Sequence, residues 1–440
     1  MVVAWVVIFA IALALRCGAS VYWQQQQVDQ NAFAFGDSFS YWVLGHQIYE
    51  GNEYKFGGDN ARISRAPGFP TLIAGWHWLF AGKPSVVSVR IMNSILGAMT
   101  VLVVGWLGSV LFDQSVGLFA GVLAAIYPGA IAMSILILSE GPFCLFMALE
   151  LVALYYCFLR PEGSRWSRVR AAIFVGVNAA IAVLIRPSWL LYTPALLFVV
   201  ISLGRQRRRN LLLAAVGMVS FVMLMMPWWI RNHQLTGRFV PTTLQVGASL
   251  YDGLHSGADG ASDMSFMLDF YRQQTQEDAA LAKSPADTYE YRLNARLRQA
   301  SLQWASENPS EVLRLAGVKF IRMWNIFPNS DSVGSGVSRL VISLGYLGIM
   351  SLTFLAVVSK IRKKSPSAEG TKQTSWHAVA LCSSPAVYFT ALHMVFVSSI
   401  RYRQPAVLVL SVLAGAGVAY CLARFKSEAV EPVAKGGRVG

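Results

Sequence analysis

The sequence predicts an all-α polytopic membrane protein, with about ten transmembrane helices and a small, mostly helical periplasmic insert. Hydrophobic residues make up 55% of the 440 residues and charged residues only 14%, whereas soluble domains carry roughly a quarter charged residues. Several apolar stretches approach the roughly 20 residues that a helix needs to cross a bilayer. Basic residues cluster in the short segments between these stretches.

Ten apolar stretches are candidates for membrane spans. The first lacks a basic amino-terminal region and a small-residue cleavage site, so we interpret it as a retained helix rather than a signal peptide. The fifth and sixth are short and are separated only by Pro187 and Ser188. The stretches are 2–21, 86–111, 115–133, 141–159, 171–187, 189–204, 211–227, 338–358, 377–397 and 406–423.

Four basic clusters orient these spans, because Lys and Arg concentrate in cytoplasmic loops. The clusters begin at Arg160, Arg205, Lys360 and Arg424. Ten helices and a cytoplasmic amino terminus put all four clusters on the cytoplasmic side. The net charge of +14 is therefore interpreted as a topology signal, and nucleic acid is excluded as a partner.

The same parity predicts the domain organisation. Residues 1–227 form a transmembrane core that includes a first outside loop over 22–85. The periplasmic insert, 228–337, is nearly neutral, with ten basic and eleven acidic residues. Within it, helices are predicted over Thr288–Ser306 and from Asn308-Pro309 to about Trp324. The C-terminal helices occupy 338–423, and 424–440 is a cytoplasmic tail.

Charged residues collect near the predicted outer membrane boundary. Charges at that depth are costly and usually functional, although a single arginine there can simply extend its head to lipid headgroups. The set as a whole favours a functional site. Asp37 suits either a helix N-cap or a reactive carboxylate, and its residue context leaves both open. The candidates are Asp37, Arg65, Glu140, Arg231, Lys319, Arg401 and Arg403.

The remaining reactive residue types favour structural roles. Five cysteines lie in or beside apolar stretches without C-x-x-C spacing, and six histidines lack a metal-binding spacing. We therefore predict no cofactor and no metal site, and leave open a loosely bound divalent cation. Glu150 lies within an apolar stretch, and we predict that it pairs with Arg186 or Arg90 inside the bundle.

Short motifs follow one another in a characteristic order from the first outside loop to the last. They are Asp37 with Tyr41, Ile48-Tyr49-Glu50-Gly51, Arg65-Ala66-Pro67-Gly68-Phe69-Pro70, Arg90-Ile91-Met92-Asn93, Tyr127-Pro128, Leu138-Ser139-Glu140, Pro227-Trp228-Trp229-Ile230-Arg231-Asn232 and Arg401-Tyr402-Arg403-Gln404-Pro405. Their order and sidedness resemble the GT-C superfamily of membrane glycosyltransferases. The resemblance is closest to the dolichyl-phosphate-mannose protein mannosyltransferase family and its relatives that modify lipid A.

The resemblance implies an enzyme of the bacterial inner membrane that uses a polyprenyl-phosphate sugar on the non-cytoplasmic face. It implies that Asp37 is the base on the acceptor, with Glu140 orienting the acceptor or sugar and Tyr41 in the binding site. A single displacement would invert the anomeric carbon. Charge on the departing phosphate needs cations, and arginine supplies a bidentate fork. The candidate phosphate ligands are Arg65, Arg231, Lys319, Arg401 and Arg403.

Two other functions share part of this pattern. A transporter or flippase for lipid-linked sugars would show related halves and charges near the bilayer midplane, and neither is apparent in the sequence. A glycan ligase would share the lipid carrier and the sidedness. Many protein mannosyltransferases have two adjacent acids where this chain has Gly36-Asp37-Ser38. This difference argues against protein as the acceptor, and the acceptor stays open between lipid, glycan and protein.

Overall fold

The computed structural model describes residues 1–27, 33, 35–58, 60–80, 85–281, 286–328, 336–362 and 376–430, and within these ranges every regular element is helical. Among the described residues, eight helices are long and apolar enough to cross a membrane. The prediction of an all-α polytopic membrane protein is confirmed. The eight helices are α1 (Val2–Gln25), α4 (Val86–Leu111), α7 (Glu140–Leu154, extended by a π-helical turn Tyr155–Leu159), α8 (Arg165–Ile185), α10 (Arg207–Thr236), α15 (Gly336–Arg362), α16 (Trp376–Val395) and α17 (Ile400–Val430).

The predicted span 115–133 is not one straight helix. It consists of α5 (Gln114–Ile126) and α6 (Pro128–Ile135), which meet at an angle of 52°. Tyr127 has an extended ψ of 113°, because a residue that precedes proline is pushed out of the helical region. Buried Arg16 of α1 donates to the carbonyls of Ala124 and Ala125 at 3.1 and 3.0 Å, so the end of α5 has partners.

The predicted span 189–204 corresponds to a short helix. A 3-10 turn over Pro187–Trp189 leads into α9 (Tyr192–Leu203), and together they form an apolar segment shorter than the other spans. The described residues therefore hold eight long spans, or nine with the bent pair, and this short segment. The predicted number of ten spans and the domain boundaries remain predictions.

The segments between the spans are also largely helical. The first outside loop contains α2 (Gly36–Glu50) and α3 (Gly68–Phe80), and the insert contains α11 (Val246–Gly253), α12 (Met267–Ala279), α13 (Tyr289–Glu307) and α14 (Pro309–Trp324). The two helices predicted in the insert are confirmed as α13 and α14. The Thr288 hydroxyl caps α13 by accepting a hydrogen bond from the Tyr291 amide at 3.4 Å.

The bundle has two chemically different ends. Glu140 begins α7 beside the first outside loop and the insert, while the opposite end of α7 leads into the loop that contains Arg160. The cluster that starts at Arg205 follows α9 at the same opposite end. We call these the carboxylate end and the basic end. Lys363 and Lys364 of the third cluster lie outside the described residues.

The two ends should differ in accessibility in an intact membrane. We expect an impermeant thiol reagent to label Gln276→Cys on α12 from outside the cell, because the insert packs at the carboxylate end. Glu162→Cys, in the exposed loop after α7, should react only after the membrane is opened. The unsubstituted chain controls for its five cysteines. Outside labelling of Glu162→Cys alone would reverse this orientation.

Candidate active site

A cavity of about 490 Å³ opens at the carboxylate end of the bundle. Its walls come from the first outside loop, the insert and the ends of several spans, so residues far apart in sequence face one another there. Six carboxyl or guanidinium side chains line it: Asp37, Arg65, Glu140, Arg186, Asp252 and Arg401. Tyr41 also lines it. The structure therefore brings together five of the eight predicted site residues and adds Arg186 and Asp252.

Asp37 lies in the first turn of α2, where the helix dipole favours a negative charge. Arg65 donates to its Oδ1 from Nη2 at 2.6 Å, and Arg401 donates to its Oδ2 from Nη2 at 3.2 Å. The side chain keeps 34% of its surface exposed. Asp37 is thus held by two arginines and remains accessible from the cavity.

The other side of Arg401 contacts a second carboxylate. Its Nε lies 3.4 Å from Oε1 of Glu140, and Arg186 Nη1 lies 3.0 Å from the same oxygen. Glu140 is only 1% exposed. Positive and negative side chains therefore alternate in one row: Arg65, Asp37, Arg401, Glu140 and Arg186. Both ends of the row are cationic, which leaves one positive charge in excess.

Each arginine of the row is positioned by further contacts. Arg65 donates to Ser40 Oγ at 3.2 Å and to Gln245 Oε1 at 2.6 Å. Arg401 donates to the hydroxyl of Tyr402 at 3.0 Å. The ring of Tyr402 is also stacked on His393, with 4.2 Å between ring centres. These contacts hold the guanidinium groups of Arg65 and Arg401 beside the cavity in the ligand-free structure.

A close backbone contact sets the distance between the two ends of the row. Gly68 begins α3, and a Cβ at this position would lie 2.6 Å from the carbonyl carbon of Leu184 near the end of α8. Only glycine lets these two backbones approach so closely. The loop with Arg65 and the turn with Arg186 flank this contact, so Gly68 keeps both arginines at the same cavity.

The electrostatics of Asp37 follow from these contacts. Burial by itself raises the pKa of this carboxyl, but the charges of Arg65 and Arg401 and their hydrogen bonds lower it below its usual range. Asp37 is therefore ionised at neutral pH. In this arrangement it is a weak proton acceptor, because two cations stabilise its charged form.

The insert contributes a further carboxyl, Asp252, to the lining of the cavity. Asp252 Oδ2 accepts a hydrogen bond from Ser262 Oγ at 2.7 Å, and its Oδ1 accepts one from the amide of Asp263 at 2.9 Å. Burial raises the pKa of Asp252. This carboxyl faces hydroxyl and amide donors rather than an arginine, so it differs chemically from Asp37.

Three predicted phosphate ligands do not line the cavity. Arg231 donates to the carbonyls of Arg62 and Tyr54 at 3.2 and 3.0 Å. Lys319 is fully buried and donates to the carbonyls of Gly253 and Val395 at 2.8 and 2.7 Å, and burial lowers its pKa to about 8. Arg403 donates to the carbonyls of Met323 and Asn325. Each of these three side chains therefore connects its own helix to carbonyls of another segment of the chain.

The predicted pairing of Glu150 is wrong. Its carboxylate accepts hydrogen bonds from Trp189 Nε1 at 2.7 Å and Thr193 Oγ1 at 2.6 Å. Arg186 instead pairs with Glu140, and Arg90 donates to Gln24. The sequence contained a signal for the correct partner, because Arg186-Pro187 lies in a predicted outside turn, as Glu140 does.

Within the described residues, no group of three or more histidine, cysteine, aspartate or glutamate side chains has the arrangement of a metal site. The sequence-based prediction that no cofactor or metal is needed remains a prediction. The groups that can act on a ligand in this cavity, as described, are the five-residue row and the Asp252 carboxyl.

Comparison with known proteins agrees with this architecture. The family model described as dolichyl-phosphate-mannose-protein mannosyltransferase matches residues 64–230. The archaeal oligosaccharyltransferase AglB from Archaeoglobus fulgidus aligns over 100% of this chain and 52% of its own, with a TM-score of 0.58 and 13% identity. ArnT from Cupriavidus metallidurans aligns over 95% of this chain and 76% of its own, with a TM-score of 0.45 and 15% identity. No curated protein sequence matches the chain.

The matched segment includes Arg65, Glu140 and Arg186, three members of the row. The likeness to the archaeal enzyme covers the fold, and the chain spans about half of that enzyme's length. The segment matched by the family model and the fold shared with the archaeal enzyme are thus both similar to those of membrane glycosyltransferases.

We expect the replacement of Glu140 and the replacement of Asp37 to lower the stability of the protein by different amounts. Glu140→Gln leaves Arg186 and Arg401 buried beside a neutral group, and removing one member of a buried ion pair typically costs about 3–5 kcal/mol. Asp37→Asn should cost less because Asp37 is partly exposed. We expect the apparent melting temperature in detergent to fall by several degrees for Glu140→Gln and by clearly less for Asp37→Asn. Equal decreases in melting temperature would contradict the described difference in burial between Glu140 and Asp37.

Proposed function

We propose that this protein transfers a sugar from a polyprenyl-phosphate carrier to an acceptor hydroxyl at the carboxylate end of the bundle. The observation that carries the proposal is the row of three arginines and two carboxylates on one cavity. A lipid phosphate at the membrane boundary needs cations, and an acceptor hydroxyl needs a base. The row contains both kinds of group within direct contact of each other.

The lipid phosphate and Asp37 compete for the same arginines. In the ligand-free arrangement Arg65 and Arg401 are bound to Asp37. The phosphodiester of the donor carries one negative charge and two non-bridging oxygens that accept the same fork of N–H donors as a carboxylate, so donor binding would compete with Asp37 for these guanidinium groups. Asp37 would then lose the cations that lower its pKa and become a stronger base. Donor binding in this way activates the base.

The chemical step follows from this exchange. The acceptor oxygen attacks the anomeric carbon while its proton passes to Asp37. The bond between that carbon and the phosphate oxygen breaks, and its electron pair leaves with the polyprenyl phosphate. Arg65, Arg401 and Arg186 balance the charge that develops there. One displacement of this kind inverts the anomeric centre. Glu140 keeps Arg401 and Arg186 in position throughout.

The location of this chemistry is also a proposal. The basic clusters lie at the other end of the bundle, and positive residues concentrate on the cytoplasmic side. The cavity would therefore face the periplasm or exterior of a bacterial inner membrane. The archaeal structure with the same fold contains a dolichol-phosphate, which supports a polyprenyl phosphate as the partner here.

Replacement of Asp37 should separate binding from turnover. Asp37→Asn removes the base, so we expect transfer to fall by about a hundredfold or more. Binding of polyprenyl phosphate should be unchanged or tighter, because Arg65 and Arg401 lose their competitor. Transfer is measured in membranes with polyprenyl-phosphate mannose or glucose labelled in the sugar, by counting label in lipid, glycan and protein fractions.

The control for this experiment is Asp252→Asn, which changes another carboxyl of the same cavity without touching an arginine. It should retain label transfer within a few fold. Near-normal transfer by Asp37→Asn would end the assignment of Asp37 as base. The fraction that receives the label in the wild type identifies the acceptor class.

Replacement of the arginines should distinguish the row from the other predicted cations. Arg401→Ala should lower transfer by about a hundredfold or more, as for loss of one preorganised donor. Arg401→Lys should recover part of it, because lysine keeps the charge but lacks the fork. Arg231→Lys and Arg403→Lys should lower the apparent melting temperature and leave donor affinity unchanged. Weaker donor binding in these two variants, but not in Arg401→Ala, would move the phosphate site elsewhere.

A further inference from the structure

A second cavity, of about 440 Å³, lies at the basic end of the bundle. It is enclosed by the last turns of α7, by α9, by the loop between α9 and α10, and by the beginning of α16. None of its lining residues lines the first cavity. The glycosyl transfer proposed above makes no use of it.

The two cavities stand at opposite membrane surfaces. α7 and its π-helical turn run from Glu140, on the first cavity, to Leu159, on the second. These twenty residues correspond to roughly 30 Å of helix, and the hydrocarbon core of a bilayer is also about 30 Å thick. The second cavity therefore lies at the headgroup level of the leaflet that the first cavity does not reach.

The lining of the second cavity has the chemistry of an amphiphile site. Its walls are aliphatic and aromatic side chains, and none of the residues that line it is acidic. Two arginines, Arg205 and Arg209, stand at its polar side. The walls are Leu154, Phe158, Leu159, Leu196, Val199, Val200, Leu203 and Leu381.

One of the two arginines, Arg209, has an unused hydrogen-bond donor. Arg209 donates from Nη2 to the neighbouring Asn210 Oδ1 at 3.2 Å, and its buried Nε has no acceptor in the described part of the chain. Arg205 is exposed. An unsatisfied guanidinium NH beside an apolar cavity calls for an anionic acceptor.

We propose that this cavity binds one anionic phospholipid, with an acyl chain along the apolar wall and the phosphate on Arg205 and Arg209. Basic pockets between transmembrane helices are suited to anionic headgroups. A free phosphate would leave the apolar walls unfilled. A zwitterionic lipid would place its own cation beside two arginines with no acidic lining residue to offset it.

The proposal is tested by native mass spectrometry of the purified full chain titrated with phosphatidylglycerol, phosphatidylcholine, polyprenyl phosphate or inorganic phosphate. The test variant is Arg205→Gln/Arg209→Gln. The matched control is Arg207→Gln/Arg208→Gln, which removes the same charge from adjacent residues outside the cavity. A third variant, Ala380→Trp, narrows the cavity from α16 without changing its charge.

The wild type and the control should each retain one phosphatidylglycerol, and phosphatidylcholine should bind more weakly. About 1 kcal/mol per arginine corresponds to about a fivefold loss for each, so the test variant should bind about twenty-five-fold more weakly. Ala380→Trp should also lose the lipid. Equal losses in both arginine pairs, equal retention of both phospholipids, or a loss of polyprenyl phosphate or inorganic phosphate instead of phosphatidylglycerol in the Arg205→Gln/Arg209→Gln variant would overturn the proposal.

Discussion

The bridge that Arg401 forms between two carboxylates is the interaction on which the site depends. Arg401 begins α17 and contacts Asp37, which is 364 positions away in the sequence. Its Nε also contacts Glu140 at the start of α7. Because these three residues come from three helices, the bridge connects the first outside loop to the transmembrane core. Arg65 and Arg186 then extend it at either end.

A buried row of alternating charges is a costly arrangement unless each charge has partners. Here the hydrogen bonds of Ser40, Gln245 and Tyr402 fix the guanidinium groups. The row carries one positive charge in excess, so one further anion would balance it. Part of Asp37 is also exposed to the cavity. In our proposal the phosphate of the donor supplies that anion. The arginines that lower the pKa of Asp37 without a ligand release it when they bind the phosphate, and Asp37 then becomes a stronger base.

The sequence predicted the eight long helices of the described residues and grouped Asp37, Glu140 and Arg401 at one end of them, because both features depend on local composition and on the distribution of lysine and arginine. It did not predict which cations meet. Arg231, Lys319 and Arg403 lie near predicted membrane boundaries, as Arg401 does, yet each of the three donates to main-chain carbonyls. Arg186 reaches Glu140 because α7 and α8 pack against each other, and Gly68 lets α3, which follows Arg65, approach the end of α8. Such contacts depend on how helices that are distant in the sequence pack together, and no short stretch of sequence predicts that packing.

The most direct test of this account is a structure of the full chain in a lipid nanodisc with polyprenyl phosphate bound. The account predicts the phosphate within hydrogen-bond distance of Arg401 and at least one of Arg65 and Arg186. It also predicts that one or both arginines of Asp37 have left its carboxylate. A phosphate bound at Arg231, Lys319 or Arg403, or at the row with both ion pairs of Asp37 intact, would contradict the account.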